Sequence, residues 1–151
     1  MKTESLWKLL ALSTVPFIMV LGNSMLIPVL PDMQKAMAIT KLQAGLSITL
    51  FSLPAGLAIP VMGFLADKYG RKPIIIPALL LYGLGGVISG LAALWWHSYP
   101  LLLAGRIVQG LGASGTGPIA MALVSDIFTS QERPKALGGL EAANGLGKVI
   151  S

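Results

Sequence analysis

The sequence predicts an all-α integral membrane protein, and three observations carry that reading. The chain of 151 residues is 54% hydrophobic and only 11% charged, whereas a soluble domain averages about 45–50% apolar and about 25% charged residues. Its apolar residues gather into long runs separated by short polar segments. Most of its charges fall in those segments, leaving too few to cover a water-facing surface. The pattern amounts to four complete transmembrane helices and a truncated fifth. Cysteine is absent, so disulfides are excluded and the redox compartment is unreadable. The net charge of +5 does not indicate nucleic acid, because the basic residues sit in the loops, where membrane topology accounts for them. No nucleophile–His–acid set and no metal-ligand cluster stands out, so neither an enzyme, a metal site nor a cofactor is expected.

The first span is predicted over residues 9–30, long enough at ~1.5 Å per residue to cross a ~30 Å hydrocarbon core. Lys2 and Lys8 precede it as in a signal peptide. The apolar run, however, exceeds the ~7–15 residues of a signal core and lacks a small-residue cleavage site. Pro16 and Gly22 lie inside it, and Pro28 and Pro31 are expected to end it. Asp32, Gln34, Lys35 and Lys41 mark the following polar loop. The second span, 42–66, contains Gly45, Pro54, Gly56, Pro60 and Gly63. The third, 73–95, holds Gly86-x-x-x-Gly90, which puts two bare backbones on one face and permits close helix approach. Trp95, Trp96, His97, Ser98 and Tyr99 form a loop whose aromatic rings suit the headgroup region; His97 reads as solvated there. The fourth span, 100–125, carries Arg106 and Gln109 and closes at Asp126. The fifth, 137–151, is shorter than the ~20 residues a span requires. The chain is therefore expected to be a fragment or a truncated reading frame.

Lys2, Lys8, Lys68, Arg71, Lys72, Arg133 and Lys135 collect on one side of these spans, Lys35 and Lys41 on the other. The positive-inside rule then makes the N-terminus cytoplasmic, in a multi-pass protein of the cell membrane. A weak internal echo accompanies this topology. Gly22 and Pro28 in the first span have the spacing of Gly112 and Pro118 in the fourth. Those spans cross in opposite directions, as in an inverted three-helix repeat.

Charge inside a span is costly, ~2.5–3.5 kcal/mol for a central arginine or lysine on insertion scales. Arg106, with Gln109 on the same helical face, is either a structural arginine bonded to helix carbonyls or a group facing a wet central cavity. Glu141 and Lys148 lie two turns apart on the fifth helix, Lys148 being the better cavity candidate and Glu141 the more hydrated. The charged turn after the second span places Asp67, Lys68, Arg71 and Lys72 beside Gly63 and Gly70. Gly63 would let the helix end approach a neighbour, and Gly70 would adopt a backbone closed to other residues. Asp67 would accept from helix N–H groups. Arg71 would fork onto a carboxylate, with Asp126 on the same membrane face as its natural partner.

The decapeptide Gly63-Phe64-Leu65-Ala66-Asp67-Lys68-Tyr69-Gly70-Arg71-Lys72 resembles the loop signature between the second and third spans of major facilitator superfamily transporters. Leu103-Ala104-Gly105-Arg106-Ile107-Val108-Gln109-Gly110-Leu111-Gly112-Ala113 resembles that family's fourth-span motif. Leu21-Gly22 with Pro28-Val29-Leu30-Pro31 resembles the first-span motif of its drug:proton antiporters. The resemblance implies that residues 1–151 are an incomplete N-terminal half-bundle. Asp67, Gly70, Arg71 and Asp126 would belong to a cytoplasmic gate that latches the two halves. Arg106 matches the arginine linked to proton coupling. The antiporter fifth-span motif has glycines and a Gly-Pro pair; Gly145 and Gly147 are present here, but Lys148 stands where proline would be expected. Gly22, Pro28, Pro31, Gly110, Gly112 and Pro118 would be kink or packing positions.

The implied function is proton-coupled efflux of amphipathic or cationic drugs by alternating access. The partners would be the lipid bilayer, protons, a small-molecule substrate and a missing C-terminal half, without which the chain alone would not transport. Two other readings stand beside it. One is a symporter of the same family importing a sugar or metabolite. The other is a small non-transporting membrane protein acting by assembly.

Overall fold

The computed structural model describes residues 3–150; Lys2 and Ser151 lie outside the described residues. Every element is helical: α1 (Thr3–Ser24), α2 (Leu26–Met37), α3 (Lys41–Tyr69), α4 (Arg71–Leu91), α5 (Tyr99–Ser114), α6 (Gly117–Ile127) and α7 (Arg133–Ile150). Among the described residues, four helical stretches are long and apolar enough to cross a membrane: α1 with α2, α3, α4 with the turn that extends it, and α5 with α6.

The burial pattern is that of a protein in lipid. Large apolar side chains point outward, among them Leu42, Leu57, Leu94 and Val149. Ser47, Ser89, Arg106, Gln109, Ser114 and Thr116 are buried instead. Hydrocarbon is as apolar as leucine, so nothing drives leucine inward, while polar groups and small residues find partners only between helices.

The first span is longer than predicted and is broken. Asp32, Gln34 and Lys35 belong to α2, not to a loop, and Pro31 sits inside that helix without ending it. The break falls at Met25, because the Pro28 ring has no N–H and crowds the carbonyl four residues back, at Ser24. The fourth span breaks the same way: α5 ends at Ser114, four residues before Pro118. The Gly22/Pro28 and Gly112/Pro118 echo thus has a backbone counterpart, one interruption at the same offset in each span. In the second break Ser114 Oγ donates to the Leu111 carbonyl at 2.6 Å and Thr116 Oγ1 to the Ala113 carbonyl at 2.9 Å. Those bonds occupy carbonyl oxygens near the interruption.

The long α3 starts on a capping box: Thr40 Oγ1 accepts from Gln43 N–H at 3.3 Å and Gln43 Oε1 accepts from Thr40 N–H at 2.9 Å. It continues unbroken through Pro54 and Pro60 to Tyr69. Gly70, at φ 95° and ψ 154°, then reverses the chain in a single residue. Essentially only glycine holds that conformation without strain. Trp95 and Trp96 are not in a loop; Ala92–Trp96 prolongs α4 as a π-helical turn that closes at His97.

Packing is densest where α5 wedges between α3 and α4. A methyl group on Gly85 would stand 2.7 Å from Gln109 Cα and 2.7 Å from the Gly105 carbonyl oxygen. One on Gly112 would stand 2.7 Å from Tyr82 Cα, and Gly110 meets the Phe51 backbone in the same manner. The close approach therefore uses Gly85, not the Gly86-x-x-x-Gly90 face. Gly86 faces only the Gln109 side chain, and Gly90 faces open space, as does Gly63. Along the bundle axis the core divides into three clusters. One gathers Ala66, Ile75, Val124 and Leu140, a middle one Phe51, Tyr82 and Ala113, and the last Met33, Ala92 and Leu102.

Candidate functional site

At the end of the bundle where α3 meets α4, Arg71 Nε donates to Asp126 Oδ2 at 2.9 Å. The pair forms because Gly70 starts α4 directly at Arg71, and because α6 brings Asp126 alongside in its last turn. Asp67, Lys72 and Leu123 line the shallow depression around it. Asp67 does not cap α4; it lies in the last turn of α3, and no side chain caps the Gly70 N-cap position. Arg71 Nη1 is buried and has no hydrogen-bond partner among the described residues. Nearby, Arg133 Nη2 donates to the Ser125 carbonyl at 2.6 Å. That basic residue does more than mark topology, since it satisfies a carbonyl in the last turn of α6.

At the opposite end, a cleft of about 510 Å³ lies between α1 and α2 on one side and α4 and α5 on the other. Volumes of roughly 300–1,000 Å³ are usual for small-molecule sites. Gly22, Leu26, Val29, Met33 and Met37 line one wall, Gly86, Ser89, Ala93 and Leu94 another, and Leu102, Arg106 and Gln109 the floor. Arg106 and Gln109 are each 5% exposed. Their spacing on α5 places them one turn apart, and Arg106 Nη1 donates to Gln109 Oε1 at 3.0 Å. Both stand beside the Gly105 contact, so the tight α4–α5 crossing fixes the backbone beneath them.

Asp32, expected in a loop, is a further cleft residue. It lies on the helical continuation of the first span and lines the same cleft as Arg106, with its side chain exposed. The signal was available in the sequence: an acidic residue one position beyond Pro31, within reach of a helix that proline need not end. Glu141 and Lys148 do not line this cleft. Both are exposed on α7, where Glu141 Oε2 accepts from Asn144 Nδ2 at 3.4 Å. That helix packs on α1 through Gly147 against Val20 and Gly139 against Leu9.

Tyr82 and Met19 join the walls. Tyr82 Oη donates to the Met19 carbonyl at 2.9 Å, and Thr116 Oγ1 lies 2.6 Å from Met19 Sδ. Gly22 makes room for the phenol, since a methyl group there would stand 2.8 Å from Tyr82 Oη. The first span is thus tied to α4 and to the break in the fourth span beside the cleft floor.

Comparison with known proteins agrees with this architecture. The Major Facilitator Superfamily model matches residues 12–151. The bacillibactin exporter of Bacillus subtilis (strain 168) is 45% identical over 146 residues, covering 95% of this chain and 36% of that protein. Multidrug resistance protein 2 of the same organism is 33% identical over 134 residues, 89% of this chain and 32% of that protein. An MFS-type transporter of Aspergillus terreus (strain NIH 2624 / FGSC A1156) is 30% identical over 154 residues, 99% of this chain and 27% of that protein. The chain spans between 27% and 36% of the length of these relatives. With the loop signature, the fourth-span motif and the helical architecture all in agreement, the chain belongs to the Major Facilitator Superfamily.

Proposed function

We propose that this chain is the N-terminal half-bundle, incomplete, of a proton-coupled exporter of amphipathic or cationic compounds that works by alternating access. The observation that carries the reading is the buried Arg106–Gln109 pair on the floor of the cleft. A guanidinium is costly at that depth and is retained where it faces a polar pathway. Two relatives, an exporter and a multidrug resistance protein, point in the same direction. In this reading Arg71–Asp126, with Asp67 and Gly70, is the cytoplasmic latch, and the cleft opens outward. The N-terminus lies on the cytoplasmic side of the cell membrane, and the second bundle of the transporter completes the site.

The test uses the transporter that carries this chain, reconstituted in liposomes with an imposed pH gradient and ethidium as the probe. Arg106→Ala is expected to reduce gradient-driven ethidium movement by at least about tenfold, the scale of a lost charge-assisted contact. Transport unchanged by that substitution would refute the coupling role.

A further inference from the structure

The Arg106 fork is used on one side only. Nη1 is committed to Gln109 Oε1. Nε is buried and has no acceptor among the described residues. No ion pair to Arg106 is formed among the described residues either; the carboxylate of Asp126 is taken by Arg71 at the far end of the bundle. A guanidinium offers two parallel edges to a carboxylate: its two terminal nitrogens end-on, or Nε with the nearer of them side-on. Gln109 takes Nη1 alone, which leaves the edge that carries Nε.

The surroundings select what fills it. The walls above Arg106 are mainly apolar, with Leu26, Val29, Met33 and Leu94 facing the space. Asp32 is the one carboxylate among the lining residues. It is exposed, whereas Arg106 is buried. A counter-charge gains most at the group that water does not already stabilise. A cation meeting Asp32 gains less than an anion meeting Arg106.

We propose that the cleft takes an amphipathic organic acid, with its anionic oxygens docked side-on on Arg106 and its apolar body against Leu26, Val29, Met33 and Leu94. The inference rests on the exporter reading and names the ligand class of that cleft. Arg106 then binds ligand directly through its charge and fork geometry. Gln109 holds the guanidinium in the plane that presents the free edge.

Equilibrium binding to the purified transporter that carries this chain, with no proton gradient, tests the idea. The probes are radiolabelled 1-naphthoate, its methyl ester and 1-naphthylmethylammonium, which share one ring system. The unmodified protein is expected to bind 1-naphthoate at least about tenfold tighter than the other two, as a charge-assisted pair requires. Arg106→Gln is expected to abolish that preference, and Arg106→Lys to restore only part of it, because an ammonium keeps the charge and loses the fork. Equal binding of acid and ester by the unmodified protein would overturn the proposal without any variant, and so would preferential binding of the ammonium probe. Gradient-driven ethidium export without naphthoate preference would sink this inference and leave the exporter reading intact. Naphthoate preference without gradient-driven export would do the reverse.

Discussion

Replacing Gly85 with alanine tests the helix crossing that supports the cleft floor. The new methyl would stand 2.7 Å from Gln109 Cα and 2.7 Å from the Gly105 carbonyl oxygen. Carbon atoms prefer separations of about 3.5–4.0 Å, so α4 and α5 must part by roughly an ångström. Both obstacles are backbone, so no side chain can swing aside. Overpacking of this kind costs about 1–3 kcal/mol, and the rigidity of the obstacles puts the substitution at the upper end. Alanine returns about 0.8–1 kcal/mol of helix propensity, which leaves a net loss of about 2 kcal/mol. At about 2–4 °C per kcal/mol for a chain of this size, the melting temperature should fall by roughly 4–8 °C. The assay is the loss of the monodisperse peak on size-exclusion chromatography after heating in detergent. Gly90→Ala is the control: it lies in the same helix, faces open space, and should be neutral or slightly stabilising. Equal melting of the Gly85 variant and the parent, or an equal drop for Gly90→Ala, would refute the account of which face is in contact.

Two further predictions concern named contacts. Arg71→Gln and Asp126→Asn, alone and together, should give a coupling energy of about 1 kcal/mol in a double-mutant cycle. The pair is only partly shielded, with side chains 23% and 55% exposed, so a value near the ~3–5 kcal/mol typical of breaking a buried pair would mean it is closed over in the membrane. Tyr82→Phe removes the hydrogen bond to the Met19 carbonyl, and Gly22→Ala displaces the same hydroxyl. Each should cost about 1 kcal/mol, and the two should be strongly non-additive in thermal melting because they remove one bond; simple additivity would show that the phenol and Gly22 act separately.

Several features were legible because they depend on local chemistry. The spans follow from runs of apolar residues, and the charged turn from Gly70 standing between them. The Arg71–Asp126 pair follows from two opposite charges placed at one membrane face by span counting. The place of Arg106 within the fourth span follows from its position along the fourth run. Other features were not legible. Whether Pro28 or Pro31 interrupts the first helix depends on how the neighbours accommodate the freed carbonyls, and Pro31 is absorbed without a break. Choosing between Gly85 and Gly86 at the crossing requires the rotation of α4 about its axis, which a glycine-rich run leaves open. Lys148, expected near mid-membrane, suggests a cavity by depth alone, but it stands in the last turn of α7, which packs on α1, and it does not line the cleft.

The sequence by itself determined the solvent, the number of spans and the family. Those follow from composition, run length and short motifs, and none of them needs distant residues to meet. The tertiary structure decided that Asp32 shares a cleft with Arg106, that Gln109 takes Nη1 of the guanidinium while Nε finds no acceptor among the described residues, and that the first and fourth spans break four residues before a proline. These depend on the azimuth of each helix and the distance between neighbours, set by the fit of bare glycine backbones against one another across the bundle.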